Sequence, residues 1–103
     1  MTMTTGVVSI GRGVGDEAEL SENDWYRFIA DLQSVVADAG YITFFTGEGD
    51  GVYEGTEEVS FTVIFGGDGW RGTLRLDLAE LALEYNQVSI ALTWGETEFV
   101  QAR

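Results

Sequence analysis

The strongest pattern in the chain is a helical one in its second quarter. Apolar residues there recur at three- and four-residue intervals, which places them on one helix face: Trp25, Phe28, Ile29, Leu32, Val35, Val36 and Ala39. Ser21 and Asp24 form a capping box ahead of them, with Asp in place of the usual Glu. Gly40 is placed to end the helix, because glycine adopts positive φ freely. The pattern predicts a helix from about Glu22 to Ala39.

Strand patterns lie on both sides of this helix. The apolar run Val7–Ile10 predicts a first strand, and the aromatic and β-branched residues Tyr41–Phe45 predict a second. Alternation over Val59–Phe65 predicts a third strand. The segment Thr46–Gly51 has glycine at every second position and is expected to interrupt the second strand, since glycine weakens a strand interior. A long hairpin, partly extended around Val52–Tyr53, is therefore predicted between the second and third strands.

A second helix and a final strand complete the chain. Apolar residues at helical intervals predict a helix from roughly Thr73 to Tyr85, with Asn86 as its stop. Alternation over Val88–Trp94 predicts the final strand, which is expected to resume at Phe99–Val100. Trp70 precedes the second helix and is expected to be buried at its entrance. The alternative for Trp70 is an exposed recognition residue, since tryptophan is enriched at binding hot spots.

The predicted element order is β-α-β-β-α-β, which is the ferredoxin-like pattern. Each helix has one apolar face, so we expect an α+β fold with both helices on one face of a four-stranded antiparallel sheet. The length of 103 residues predicts a single domain over residues 1–103, with residues 1–5 flexible. Phe44, Phe45 and Ile64 break the alternation of a half-solvated sheet. Some apolar side chains should therefore lie on the opposite face, which favours a homodimer through that open face.

The residue types present restrict the chemistry of the chain. It has 18 acidic against 5 basic residues, a formal net charge of −13, and no histidine, cysteine or proline; all five basic residues are arginine, so lysine is absent as well. These absences exclude thiol, imidazole and Schiff-base lysine catalysis, zinc fingers and disulfides. Proton transfer is left to carboxylates and to Tyr41, Tyr53 or Tyr85. We therefore expect no enzyme, no catalytic residues, no cofactor and no metal.

Net charge also bears on partners and location. The negative charge argues against direct binding to nucleic-acid phosphates and to an anionic membrane surface. The first residues carry no signal-peptide pattern, and no apolar run approaches the length of a membrane span. A cytoplasmic location is therefore expected.

The predicted topology brings acidic residues together. The loop before the first helix and the hairpin between the second and third strands lie at the same end of the sheet. Two acidic segments, with Arg12 as the nearby cation, are expected to converge there: Asp16, Glu17, Glu19, Glu22 and Asp24 in the first, and Glu48, Asp50, Glu54, Glu57 and Glu58 in the second. The sequence thus predicts one acidic pole.

Three interpretations of this pole remain open. The first is solvation and helix capping, since carboxylates at a helix N-terminus stabilise the macrodipole. The second is a decoy that occupies a basic, phosphate-binding surface of a protein partner. The third is a hard-cation site at Glu48, Asp50 and Glu54, although the spacing does not match an EF-hand loop. The residues predicted to bind a protein partner are Asp16, Glu17, Glu19, Glu48, Asp50, Tyr53, Glu54, Glu57 and Glu58.

Two further functions are kept as alternatives. One is a small-ligand-binding or sequestering module that uses Arg12, Tyr53 and Arg71. In this alternative the arginines would contact an anionic ligand, although Arg12 is also placed to pair with the carboxylates around it. The other is a self-assembling structural protein.

Several segments together resemble small uncharacterised proteins of actinobacteriophages. They are Ser9–Asp16, Trp25 early in a helix, Gly47–Glu58 and Ser89–Glu98, and the resemblance spans most of the chain. It implies a phage accessory protein that is expressed in the cytoplasm of the host and binds a host or phage protein. It supplies no site residues. It favours a binding module, in one form an inhibitor or nucleic-acid mimic, over an enzyme.

Overall fold

Two α-helices lie on one face of a four-stranded antiparallel sheet in the computed structural model, which describes residues 2–15, 18–53 and 55–102. The elements are β1 (Thr2–Gly11), β2 (Gly13–Gly15), β3 (Ala18–Glu19), α1 (Glu22–Asp38), β4 (Ile42–Tyr53), β5 (Thr56–Gly66), α2 (Arg71–Glu84) and β6 (Ala91–Glu98). The main sheet has the order β4-β5-β1-β6, and β2 pairs with β3 as a separate two-stranded sheet. The predicted α+β, ferredoxin-like fold is confirmed.

The core lies between the helices and one face of the sheet, which we call the helix face. β1 and β5 supply alternate residues to it, in register, so that Val8 pairs with Val63 and Ile10 with Phe61. The helices cover this face with Trp25, Phe28, Leu32 and Val36 from α1, and with Leu74, Leu78, Leu81 and Ala82 from α2. Burial of each large apolar side chain contributes about 1.5–3 kcal/mol, so this layer is the main source of stability.

The N-cap at Ser21 and the end at Gly40 that were predicted for α1 are confirmed, but the second bond of a capping box is not: in the described part of the chain the Asp24 carboxylate contacts Arg27 and not the Ser21 amide. The Ser21 hydroxyl accepts a hydrogen bond from the amide of Asp24 at 3.1 Å. At the other end Gly40 has φ of 90°. Its amide donates to the Ala37 carbonyl at 3.0 Å, and the amide of the next residue donates to the Val36 carbonyl at 3.3 Å. These two bonds form a Schellman motif, which ends the helix one residue before the predicted boundary.

α2 begins two residues earlier than predicted and ends at Glu84, one residue before the predicted boundary, with Asn86 as the predicted stop. Asn86, with φ of 56°, follows its C-cap and closes the helix in the same way as Gly40 closes α1. The expectation that Trp70 is buried is wrong, because 72% of this residue is exposed. Its amide donates to the Ala39 carbonyl at 2.8 Å, which holds the residue at the margin of the helix layer. The indole lies against Gly40 rather than in the core.

The expected break at Thr46–Gly51 does not occur. β4 continues through this segment and pairs with β5 as far as Tyr53, opposite Thr56. β4 is an edge strand, so it needs pairing on one side only, and its glycines lie on the open face of the sheet, where no packing is required. The predicted long hairpin is thus two long strands joined at residues 54–55, where Gly55 has φ of 80°.

A β-bulge in β4 explains why Phe44 and Phe45 break the alternation. The register of β4 on β5 shifts between Thr43 and Phe45, so one extra residue is accommodated. The Phe44 ring then lies against Gly66, and the Phe45 ring lies against Gly47. Both glycines are on the open face, so both rings lie there as well. The prediction that apolar side chains point away from the helices is confirmed for these residues.

The chain ends differ from expectation as well. Residues 1–5 were expected to be flexible, but Thr2–Thr5 extend β1 and pair with β6, from Thr2 opposite Glu98 to Thr5 opposite Gly95. Met1 lies outside the described residues. β6 begins at Ala91 rather than at Val88 and does not resume at Phe99–Val100. The physical reason is that β6 passes through Gly95 unbroken, which provides a partner for the first residues of the chain.

Candidate functional site

The predicted acidic pole corresponds to one end of the sheet, which we call the upper end. β1 finishes there at Gly11, opposite Ser60, while β4 and β5 continue beyond it. The chain then crosses to the β2–β3 pair, fastened by a hydrogen bond of 2.9 Å from the Arg12 amide to the Val59 carbonyl. The ends of β4 and β5 and the β2–β3 pair therefore stand next to each other above β1.

A groove of about 880 Å³ separates these two projections. Its floor includes Ser9, Gly11 and Ser60, and the segment after α2 closes one side. The charged residues that line it are all carboxylates: Glu19, Asp50, Glu57 and Glu58. No arginine contributes to the lining among the described residues. The groove is thus a negatively charged surface on a glycine- and serine-rich floor.

Glu58 joins the two sides of the groove. Its Oε2 accepts a hydrogen bond from the amide of Gly13 at 3.0 Å. The carboxylate lies directly over Gly11 and Gly13, where a Cβ at either position would collide with it. This contact explains why the chain has glycine at both positions. Glu58 therefore has a structural role in joining β5 to the β2–β3 pair.

Glu48 has a similar role on the helix face. Its Oε1 accepts a hydrogen bond from the indole Nε1 of Trp25 at 2.8 Å. Trp25 is 1% exposed, so this bond satisfies a donor that water does not reach. Glu48 thereby joins the edge strand to α1. Sequence reasoning placed Glu48 at this pole but had no signal for its partner on the helix.

Arg12 is held by its own loop. Its Nε donates to the Leu20 carbonyl at 2.8 Å and lies 3.8 Å from Oε2 of Glu19. The pairing with a neighbouring carboxylate, which the sequence analysis considered for Arg12, is present. An exposed ion pair of this kind contributes less than about 1 kcal/mol. The hydrogen bond to the backbone is therefore the more important contact.

The remaining acidic residues of the pole differ in the contacts that their side chains make. Asp24, in the first turn of α1, lies 3.5 Å from Arg27, and Glu22 is in the same turn, so both fit the capping interpretation. Asp50 and Glu57 are exposed, and within the described part of the chain neither makes a side-chain hydrogen bond or ion pair. Asp16, Glu17 and Glu54 lie outside the described residues, as does the side chain of Tyr53.

The predicted ligand set is not brought together. Arg12 lies at the upper end, whereas the Arg71 guanidinium lies 4.1 Å from the ring centroid of Trp94. Trp94 pairs with Gly6, five residues before the end of β1. At about 3.4 Å per residue this separates the two arginines by roughly 17 Å along the strand. They cannot contact the same small ligand.

The structure also bears on the hypotheses of a cation site and of proton transfer by tyrosine. Among the residues that the structure describes, no three acidic side chains converge on a point that could hold a metal ion. Tyr85 donates to Oδ2 of Asp31 at 2.6 Å and stacks on Phe28. Burial, followed by this hydrogen bond to Asp31, raises the pKa of Tyr85 to about 12. Its phenol is therefore protonated at neutral pH and serves as a structural donor.

The open face has a second surface at the lower end of the sheet. There the bulge exposes three large side chains, with Ile42 at 62%, Phe44 at 47% and Phe45 at 58%. Half-buried apolar residues on the same face border them, and together they form what we call the apolar patch: Met3, Val7, Ile42, Phe44, Phe45 and Ile64. The alternation pattern indicated such a face, but the bulge that assembles it needs the register with β5.

No protein-family model and no curated protein matches this chain. Solved structures do. The C-terminal domain of the MgtC protein from Mycobacterium tuberculosis has a TM-score of 0.57 and 17% identity, over 98% of this chain and 94% of that one. A phage SAM lyase in its apo state has a TM-score of 0.58 and 15% identity, over 92% and 81%. These similarities, at low identity, establish a shared fold.

A phage SAM lyase in complex with S-methyl-5′-thioadenosine is similar as well. It has a TM-score of 0.52 and 21% identity, over 91% of this chain and 81% of that one. Neither helix in the described part of this chain is long and apolar enough to cross a membrane.

Proposed function

We propose that this protein acts by binding a basic protein partner at the acidic upper end of its sheet, without catalysis. The observation that carries the proposal is the lining of the upper groove, which has four carboxylates and, in its described part, no arginine. A surface of one charge sign attracts a partner of the opposite sign and excludes partners of its own sign. Asp50 and Glu57, which make no internal contact in the described part of the chain, are the residues assigned to the partner.

The engagement of the other polar groups supports binding rather than catalysis. Glu48 and Glu58 each accept a hydrogen bond that joins two elements of the fold. Tyr85 is protonated and buried. A general base must be free to receive a proton from a substrate, which these groups are not. The ligand site built on Arg12, Tyr53 and Arg71 is not carried further, because the two arginines lie too far apart.

The chemistry of the partner follows from the charge. A net charge of −13 on 103 residues favours a surface that ordinarily binds phosphates, such as that of a nucleic-acid-binding host protein. The resemblance to actinobacteriophage proteins supports a phage accessory role in the host cytoplasm. A fold shared with a phage protein is compatible with that setting.

The test is affinity capture from nuclease-treated host lysate at roughly 50 mM and 200 mM salt, read by mass spectrometry. We expect a basic protein to be captured at the lower salt concentration and largely lost at the higher one. Combined Asp50→Asn and Glu57→Gln should weaken its binding about tenfold. Asp38→Asn with Glu80→Gln makes the same charge change away from the groove and should leave binding unchanged. The proposal would be refuted by a partner that is captured in the same amount at both salt concentrations and by the Asp50→Asn, Glu57→Gln variant.

A second candidate is self-association through the apolar patch. The exposure of Ile42, Phe44 and Phe45 on one sheet face favours it, since contiguous exposed apolar surface marks interaction sites. Sedimentation equilibrium should then give a dimer for the parent protein and a monomer for Phe44→Asp or Ile64→Asp. An equal, monomeric mass for all three proteins would exclude this candidate.

A further inference from the structure

We propose that the partner binds as an added β-strand along the free edge of β4, and that the added strand is basic on one face and carries large apolar side chains on the other. This inference rests on the proposed function and specifies its geometry. The acidic groove accounts for attraction. The edge of β4 accounts for where and in what conformation the partner chain lies.

β4 offers a long edge for pairing. It has 12 residues and is the first strand of the sheet order, with β5 on one side and no described strand on the other. Antiparallel pairing uses the amide and carbonyl groups of every second residue, so the alternate groups of β4 point outward. Proteins commonly protect such edges with β-bulges, inward-pointing charges, lysine or proline; β4 has the bulge at its lower end and carboxylates at its upper end, which oppose an acidic strand but not a basic one. This chain contains neither residue.

The upper half of β4 has two chemically distinct faces. Glu48 and Asp50 lie on the helix face, since they pair with Phe61 and Val59. The glycine row (Gly47, Gly49, Gly51) lies on the open face, opposite Thr62, Ser60 and Glu58. A Cβ at Gly49 would meet no atom within 4 Å, whereas the Phe45 ring covers Gly47 and the Ser60 hydroxyl lies against Gly51. An added strand therefore has carboxylates beside it on one face and an uncovered stretch at Gly49 on the other.

These two faces define the strand that fits. Opposite charges on neighbouring strands attract, so Lys or Arg belongs beside Glu48 and Asp50. Large apolar side chains, aromatic ones above all, belong beside the glycine row, because they can cover glycine on an adjacent strand. The partner segment thus alternates basic and large apolar residues with a period of two.

The same features oppose the pairing of two β4 copies in the register centred on Gly49. An antiparallel pair of β4 strands centred on Gly49 would place Glu48 of one copy opposite Asp50 of the other. Like charges directly opposite each other destabilise strand pairing. The bulge at Phe44 interrupts the regular ladder at the other end of the strand. The edge of β4 therefore favours a basic strand over a second copy of β4.

A peptide experiment separates strand addition from electrostatic attraction. The probe is a nine-residue peptide in which Lys alternates with Tyr or Val, and its affinity is measured by calorimetry at low salt. Two further peptides are N-methylated, one at the Lys amides and the other at the intervening amides. In an added strand either the Lys amides or the intervening amides point at β4, but not both. N-methylation of the amides that point at β4 removes their hydrogen bonds, so that peptide should lose about tenfold or more in affinity, while the other methylated peptide should bind unchanged. A peptide of the same composition in scrambled order should also bind at least about tenfold more weakly.

The protein side of the test uses amide resonances and a matched variant pair. Chemical-shift changes should be confined to β4 and its neighbours, with slower hydrogen exchange over Thr46–Val52. Asp50→Asn should weaken the parent peptide about three- to fivefold. Glu98→Gln, on the opposite edge strand β6, makes an equivalent charge change and should have no effect.

Three other outcomes would overturn the inference in different ways. If both N-methylated peptides and the scrambled peptide bind as well as the parent, attraction is purely electrostatic; strand addition is then wrong while the proposed function stands. If the peptides do not bind although lysate yields a salt-sensitive basic partner, the partner uses another surface. If neither peptides nor lysate give a basic partner, the proposed function itself fails.

Discussion

The lower and upper halves of β4 pair with the same strand and yet present opposite surfaces. The lower half, Ile42–Phe45, is bulged and covers the sheet with its own rings, Phe44 over Gly66 and Phe45 over Gly47. The upper half, Gly47–Gly51, is regular, carries no side chain of its own on the open face and leaves that face uncovered at Gly49. The comparison shows that one strand can carry two separate means of recognition: an exposed hydrophobic surface in one half and an unpaired backbone edge in the other.

The first prediction concerns Tyr85, which joins α2 to α1 in the helix layer that both halves share. Burial and the hydrogen bond to Asp31 raise the pKa of the Tyr85 phenol to about 12, from its ordinary value of 10.0. The folded state therefore holds this proton more tightly. Its contribution, up to about 3 kcal/mol, is complete below pH 10 and is lost as pH rises through 12. Guanidinium unfolding at pH 9 to 12 should show the loss.

The matched control for this prediction is Tyr85→Phe. It should be less stable than the parent at neutral pH, because Asp31 loses its donor, and its stability should fall much less between pH 10 and 12. A parallel fall in both proteins would assign the alkaline transition to other groups. The two halves of β4 should lose amide protection together, since both depend on the same helix layer.

The next effect breaks the lower half alone. Gly66→Val places a Cβ 2.7 Å from Cε2 of Phe44 and 2.8 Å from the Thr4 carbonyl oxygen. We expect a loss of about 1–3 kcal/mol from overpacking. Gly49→Val makes the same change in the glycine row, where a Cβ meets nothing, and should shift stability by less than about 0.5 kcal/mol. Equal unfolding midpoints for the two variants would show that the halves do not differ.

A smaller effect tests how the upper half is joined to α1. Glu48→Ala removes the acceptor of the Trp25 indole and leaves a buried donor unpaired, which costs about 1–2 kcal/mol. Glu48→Gln keeps an acceptor oxygen and should recover most of that loss. Thermal unfolding with tryptophan fluorescence is the measurement. If Gln is as destabilising as Ala, the carboxylate charge rather than the hydrogen bond matters.

The smallest effect makes the lower half resemble the upper. Phe45→Thr uncovers Gly47 and removes a ring that is 58% exposed, so about 1 kcal/mol of burial is lost. Binding of a hydrophobic dye should fall, because the apolar patch loses a main member. Peptide binding at the β4 edge should be unchanged. Loss of peptide affinity would mean that the two halves act as one surface.

The candidate site was only partly predictable. Topology placed both acidic segments at one end, because strand and helix directions follow from element order alone. The individual roles did not follow. Glu48 and Glu58 both belonged to the predicted partner-binding set, and each proved to have a contact with a residue far away in the chain, Trp25 and Gly13. The sequence provides no period or motif for such pairs.

The features that could be predicted from the sequence are local. The capping of α1 at Ser21, its end at Gly40 and the stop of α2 at Asn86 each depend on a few neighbouring residues, and helical periodicity repeats within one element. The features that could not be predicted depend on the pairing of strands and on contacts between elements. β4 runs through its glycines because β5 lies beside it, and the bulge turns both phenylalanines outward because the register shifts there. Trp70 is exposed because the end of α1 binds its backbone. The extent of a strand and the exposure of its side chains depend on contacts between residues distant in the chain, and a local sequence pattern does not contain that information.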